Sequence, residues 1–358
     1  MSKLSFGHSS AFYPEVKQAV EQYFQNGQRQ PTGDFRLYLK SFLLLFMAIG
    51  TYLVLVNAWV TGWWALLLAA WLGFNLASIG FCIMHDANHG SYSSKPFVNQ
   101  IMSIIGSNGL GANAYFWKQK HNVIHHTYTN VDGIDDDIAK SPIIRQCSSQ
   151  RWVPAHQWQH LYLPFVYSLT SVFWIFFMDF NKYFTRRING TKAWTLKWNN
   201  HLAFWLTKLY YVSVYIVIPI SMLGWKPWLA GFLIMNFSMG LTLSLVFQLA
   251  HVVEGAEFEM VEAAEHKQLS MGWAEHQLHT TFNFAMGNRW LSWFVGGLNF
   301  QVEHHLFPRV SHIHYPAISK IVSATCRKHQ LPYHAFGSFR QALLSHFRWM
   351  KGLGAKPA

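Results

Sequence analysis

The chain alternates long apolar runs with polar stretches, and the runs are longer than ordinary core helices need. Ser41–Met84 contains no Asp, Glu, Lys or Arg, about twice the ~20 residues that carry a helix across a bilayer. Thr61-Gly62 interrupts this run near its middle, with Trp59 before it and Trp63 and Trp64 after it, residues suited to the membrane–water interface. The run therefore predicts a helical hairpin. A second pair is predicted from Leu209 to Trp225 and from Pro227 to His251, turning around Gly224-Trp225-Lys226-Pro227. Lipid offers the backbone no hydrogen-bond partners, so open-ended spanning segments must be helices. A fifth apolar run, Leu161–Met178, follows Pro154, contains Pro164 and has His156 and His160 just upstream. It reads as an interfacial or re-entrant helix. The predicted fold class is an all-α integral membrane protein, with four transmembrane helices and a helical cap holding a dimetal site. One domain is expected over 1–358: a polar N-terminal segment 1–40, a hairpin 41–84, a first cap segment 85–208, a hairpin 209–251 and a second cap segment 252–358.

Composition favours one membrane unit over two or three soluble domains. Of 358 residues, 51% are hydrophobic, 17% aromatic and only 12% charged, too few charges for a surface facing water all round. The net charge of +12 admits nucleic acid, an anionic lipid surface or an acidic ligand as partner. The basic residues flank apolar runs instead of forming one patch, which argues against nucleic acid. Lys3, Lys17, Arg29, Arg36 and Lys40 precede the first span, and Lys182, Arg186, Arg187, Lys192 and Lys197 precede the third; the two turns contain only Lys226. The positive-inside tendency puts both termini and the middle segment in the cytoplasm. Cys82, Cys147 and Cys326 form no CxxC pair, which excludes a disulfide framework or zinc ribbon and fits a reducing compartment. The polar N-terminus lacks the apolar core of a secretory signal, and Lys351–Ala358 reads as a frayed tail.

The twenty histidines carry the chemistry. His85-Asp86-Ala87-Asn88-His89 closes the second predicted span, His121-Asn122-Val123-Ile124-His125-His126 follows it, Gln301-Val302-Glu303-His304-His305 comes late, and His251 ends the fourth span. Spacing of i, i+4 puts His85 with His89, and His121 with His125, on one helix face, a metal-chelating arrangement. Adjacent histidines point apart, so His125 and His126, or His304 and His305, suit two different ions. Two crossings between His85 and His251 leave both on one membrane face; counting Leu161–Met178 as a span would separate them. A single histidine near a membrane end is ordinarily an interfacial anchor, the reading adopted for His8, His156, His160, His201, His266, His312, His314, His329, His334 and His346. His276 and His279 are intermediate, and the three clusters together are not explained as anchors.

HDANH, HNVIHH and QVEHH resemble the three histidine boxes, HxxxH, HxxHH and QxxHH, of the membrane fatty acid desaturases. Gln301 at the head of the third box is similar to the front-end subgroup of Δ5 and Δ6 type, and the matching surroundings, with WKQKHNVIHHTYTN and LNFQVEHHLFP, run from about Met84 to Pro316. The resemblance implies two iron ions held by His85, His89, His121, His125, His126, His304 and His305, with His251 as the extra ligand outside the boxes. Gln301 and Gln248 are candidates for weak ligation or for holding a bridging water. Asp86, Asp132, Asp137, Glu254 and Glu303 are candidates for orienting the ligands, since a ligating imidazole usually donates its other N–H to a carboxylate or carbonyl. Within Asp135-Asp136-Asp137 a solvated acidic run is the competing reading. No catalytic residue is expected apart from the metal ligands.

Removing hydrogen from an unactivated methylene is beyond side-chain acids and bases and calls for metal-activated O2 in a dry cavity. The expected substrate is an acyl lipid or acyl-CoA, whose phosphates or whose anionic neighbours the basic segments would attract. No HPGG haem motif occurs and only the segment 1–40 precedes the first span. This departure from many front-end enzymes implies a separate electron donor, ferredoxin-type or cytochrome b5, with its reductase. It also points to a bacterial inner membrane, with the active site on the cytoplasmic face. The alternative is a histidine-box diiron lipid hydroxylase; a transporter would carry its histidines inside the spans.

Overall fold

The computed structural model describes residues 4–138, 142–189, 191–192, 195–260 and 268–357; Lys3 and His266 lie outside the described residues. Asp34 ends the polar entry segment and caps the first long helix, its carboxylate accepting the Arg36 N–H at 2.9 Å, as an N-cap aspartate does for an orphan donor. Helix α1 (Phe12–Asn26) precedes it, α2 is Phe35–Val56 and α3 is Gly62–His89. Both ends of this hairpin differ from the charge-free run, because Phe35 and Arg36 join the first turn of α2 and α3 continues through the first histidine box. Next come α4 (Pro96–Leu110) and α5 (Ala114–Lys118), which passes into a π-helical turn, Gln119–His125.

Helix α6 (Pro154–Thr185) is followed by α7 (Trp198–Leu223) and α8 (Trp225–His251). Thus α7 begins before the predicted Leu209, since Trp198-Asn199-Asn200-His201 supplies a polar first turn to an otherwise apolar helix. The α7–α8 reversal needs only Gly224, at φ 80°, a conformation that glycine alone adopts at no steric cost. Among the described residues five helices, α2, α3, α6, α7 and α8, are long and apolar enough to cross a membrane. On α2 and α7, large side chains such as Phe42, Phe46, Leu206 and Leu209 face outward.

Helix α8 is the centre of the bundle. A Cβ on Gly73 of α3 would lie 2.0 Å from the Met235 carbonyl oxygen of α8, and one on Gly240 of α8 would lie 2.5 Å from the Ser168 carbonyl oxygen of α6. Small residues thus let both neighbours approach backbone to backbone, which is how helices associate where lipid removes the hydrophobic drive. Helix α6 contains Pro164 and a π-helical turn, Trp174–Met178. Its start is tied to 142–145 by His156 Nε2 on the Pro142 carbonyl at 2.8 Å and by Gln159 Nε2 on the Arg145 carbonyl at 3.0 Å. Its end is tied to Asp136 by Lys182 at 2.8 Å. Both ends therefore meet the one loop that follows the second histidine box.

The remaining helices are α9 (Trp273–Thr280), α10 (Arg289–Phe294), α11 (Gln301–Leu306), α12 (Tyr315–Lys328) and α13 (Phe339–Gly354). They form a cap at the histidine end, with a core of its own in which Phe12, Val16 and Val20 of α1 pack on Val302, Leu306, Ile318 and Val322. Three two-stranded pairs, Val131–Asp132 with Glu259–Met260, Arg187–Ile188 with Thr191–Lys192 and Asn283–Phe284 with Ala335–Phe336, pin its loops.

Candidate metal centre

Three helix ends and one π-turn meet at the site. A π-turn, Gly80–Met84, widens α3 just before His85 and His89, whose rings lie 4.6 Å apart on one face. The second box is shaped by the π-turn Gln119–His125. There the His126 N–H donates to the His121 carbonyl, an i→i+5 closure. That winding stacks His125 on His121 (5.2 Å, 20°) and also brings His126 Nε2 within 3.3 Å of His121 Nε2. Helix α11 supplies His304 and His305, and the last residue of α8 is His251.

The donor atoms of His85, His89, His121 and His304 lie within 4.8 Å of one another, as do those of His125, His251 and His305, and those of His126, His304 and His305. Eight buried imidazoles thus form two separate donor groups, bridged by a third in which His126 meets His304 and His305. His85 Nε2 is 3.1 Å from His304 Nε2, close to the ~3.0–3.4 Å between two nitrogens that share an ion at ~2.1 Å.

The hydrogen bonds fit a metal. His125 Nδ1 faces Asp135 Oδ2 at 3.0 Å, His251 Nδ1 faces the Thr280 carbonyl at 3.1 Å, and His305 Nδ1 faces Gln277 Oε1 at 2.7 Å. Each acceptor fixes the ring proton on Nδ1. The Nε2 atoms of all three are buried with no hydrogen-bond partner among the described residues. Lone pairs aimed inward and protons held outward are the arrangement of ligating imidazoles.

The model of the fatty acid desaturase family matches residues 57–337. The chain belongs to the fatty acid desaturase family. The chain is 33% identical to an sn-1 linoleoyl-lipid 6-desaturase of Arthrospira platensis over 99% of this chain and 96% of that protein. It is 36% identical to an acyl-lipid (8-3)-desaturase of Physcomitrium patens, over 96% of this chain and 72% of the relative. A further sn-1 linoleoyl-lipid 6-desaturase, from Synechocystis, is 29% identical over 98% of both chains. The desaturase is accordingly an oxidoreductase acting on fatty acyl chains.

Around the donor groups the desaturase arranges its acids unevenly. Asp86 is buried, with Oδ1 3.8 Å from His85 Nδ1. Asp137 lies 3.3 Å from His125 Nδ1 and 2.6 Å from Lys120. Glu303 points away from the histidines, accepting from Tyr333 and Asn283 at 2.8 and 2.9 Å; burial pushes its carboxyl up to about 7, against those two hydrogen bonds. Asp132 binds Ser149 and Gln150 instead of a box histidine, and Glu254 is exposed. The acidic run divides: Asp135 is buried on His125, while Asp136 pairs with Lys120 and Lys182.

Gln301 lies one turn before His304 and His305, with neither amide atom hydrogen-bonded among the described residues. Gln248 instead accepts from Gln146 at 2.6 Å. His276 is used by the Thr129 carbonyl and His279 by Glu257. Burial lowers His121, His126, His304 and His305 well below the usual histidine value. In His125 burial acts the same way, but Asp135 and then Asp137 outweigh it and raise the value. Sequence reasoning missed Gln277, Thr129 and Tyr315, the last 3.0 Å from His304 Nδ1. Only Thr129 carried a signal, standing four residues after His125 where its hydroxyl reaches the His125 carbonyl.

Proposed function

We propose that this desaturase places a cis double bond between an existing double bond and the carboxyl end of an acyl chain esterified in a membrane lipid, at a diiron centre. The observation that carries the reading is the pair of donor groups, bridged by His126, that three boxes and His251 assemble. His85, His89, His121 and His304 would hold one ion, His125, His251 and His305 the other, and His126 lies between them. Bound iron, with O2, supplies the oxidising power for an unactivated C–H bond that no side chain has. Gln301, with its amide atoms unpartnered, suits weak ligation or a held water. Gly80, Met84, Trp117, Leu243 and Phe247 line a small apolar recess against His85. This apolar lining would keep water from the ligands during the reaction. The relatives' substrates, linoleoyl-lipid and acyl-lipid, favour a lipid-bound chain over a CoA thioester.

Four of the five long helices span in this reading. His85 and His251 stand in one site, so the number of crossings between them is even. Attachment of both ends of α6 to one loop supports its being the helix that does not cross. The basic residues at the site end support a cytoplasmic cap, and a bacterial inner membrane is the proposed location. A separate ferredoxin-type protein or cytochrome b5, with its reductase, would deliver electrons. The test is expression in a host without polyunsaturated lipids, fed linoleate, with gas chromatography and mass spectrometry of its fatty acids. A product two hydrogens lighter, with the new bond on the carboxyl side, is expected. A product one oxygen heavier would make the chain a hydroxylase, and unchanged linoleate with reductant and O2 supplied would end the proposal.

A further inference from the structure

A carboxylate beside a box histidine is gripped from its other side by a histidine outside the boxes, and that histidine by a lysine. Asp86 Oδ2 accepts from His312 Nδ1 at 2.9 Å, from the Ser311 hydroxyl at 2.8 Å and, at 3.4 Å, from the His312 N–H. All three donors go to one oxygen, and Oδ1 is left facing His85 Nδ1 at 3.8 Å. On the far side, His312 Nε2 lies 3.0 Å from Lys40 Nζ, which also sits 5.3 Å above the Trp293 ring. Lys40, Asp86, His85 and His312 are each at most 5% exposed, so water does not stand in for any of these contacts.

The donors and acceptors fix the proton of the His312 ring. A lysine ammonium has three donors and no acceptor, so His312 Nε2 must accept and the ring proton resides on Nδ1. There it donates to Asp86. With Oδ2 filled, the free oxygen of Asp86 is Oδ1, 3.8 Å from His85 Nδ1; a small closure of that gap would seat the ring proton on Nδ1 and leave Nε2, 3.1 Å from His304 Nε2, to an ion. Among the described residues the hydrogen bonds of His312 go to Lys40 and Asp86 and to no box histidine. We propose that His312 is a positioning residue, locked by Lys40, which holds Asp86 and through it aims the metal-facing nitrogen of His85. The proposal rests on the diiron reading of the centre. It also gives a reason for a lysine being buried at the foot of α2: its charge is balanced by Asp86 through the intervening ring.

The test uses the purified full chain in detergent, titrated anaerobically with Fe2+. Bound iron is counted by elemental analysis and the two sites are resolved by Mössbauer spectroscopy. In His312→Leu one of the two ions should bind about 10–100-fold more weakly, the cost usual for losing a partner behind a ligand, and one spectral component should drop out at limiting iron. His312→Asn returns an N–H close to where Nδ1 stood and should recover the affinity. Lys40→Met keeps the ring but frees its tautomer, and should shift the same spectral component. Wild-type affinity and spectrum in His312→Leu would overturn the proposal. So would an Asn variant no better than Leu, because the ring would then matter only for packing. Should His312→Leu fail to fold, a Lys40→Met spectrum identical to wild type overturns it instead. An unmodified chain that binds no iron would refute the diiron reading itself, an outcome distinct from these.

Discussion

Taking the metal away should loosen the cap far more than the membrane bundle. Leaving aside His85 Nδ1, which faces Asp86, five nitrogens of the cluster, His89 Nε2, His125 Nε2, His126 Nδ1, His251 Nε2 and His305 Nε2, are buried without a hydrogen-bond partner among the described residues. An unsatisfied buried polar group costs about 1–3 kcal/mol, so five amount to about 5–15 kcal/mol. That equals the whole stability of a typical domain, about 5–15 kcal/mol. Bound ions remove this cost; without them the cap must admit water or open. If water relieves all but ~5 kcal/mol, the melting temperature still falls by roughly 10–20 °C. The assay compares iron-loaded protein with protein stripped by a chelator under reducing conditions, using thermal unfolding and hydrogen exchange. Exchange should rise in Gln119–His125 and Gln301–Leu306 while α3 and α8 stay protected up to their last turns. Equal melting temperatures and equal exchange would refute the reasoning, since the cluster would then be stable as a hydrated, metal-free cavity.

His304 stands in the donor group of one ion and His251 in that of the other; His304→Ala and His251→Ala should therefore each lose one ion and the double variant both, as elemental analysis of each purified variant would show. Acid should destabilise the fold: burial keeps His121, His126, His304 and His305 well below their ordinary value of 6.5, whereas the unfolded chain takes up protons there. Stability then falls as pH drops from about 7 toward about 5, with His125, whose value is raised, offsetting one of the four; a melting temperature flat across that interval would contradict this. Lys208 Nζ is buried 2.8 Å from Asp179 Oδ2 and from the carbonyls of Gly111 and Ile175. Asp179→Leu, which strands that ammonium, should cost about 3–5 kcal/mol, and adding Lys208→Met should restore most of it; a double variant no more stable than the single one counts against the pair.

Local pattern was enough for the hairpins and for the chemistry. A charge-free run needs no tertiary information to be read as spanning, because the cost of an unpaired backbone in lipid depends on length and composition alone. The i, i+4 and adjacent histidines likewise announce ligation wherever the chain goes. The even number of crossings between His85 and His251 is an expectation from sequence, since two histidines sharing one membrane face require it. What a sequence cannot express is the winding of a particular turn. Nothing in Gln119–His125 distinguishes a π-turn from an α-turn, yet that extra residue per turn is what sets His126 beside His121. The partners that fix the ring protons were equally hidden. Gln277 meets His305 from 28 residues away and His312 meets Asp86 from 226 residues away, and His312 by itself looked like an interfacial anchor. Sequence therefore named the candidate ligands, because residue type and short-range spacing decide that. Only the folded chain decided which way each nitrogen points, because a proton's position on an imidazole depends on whatever distant acceptor happens to be packed against it.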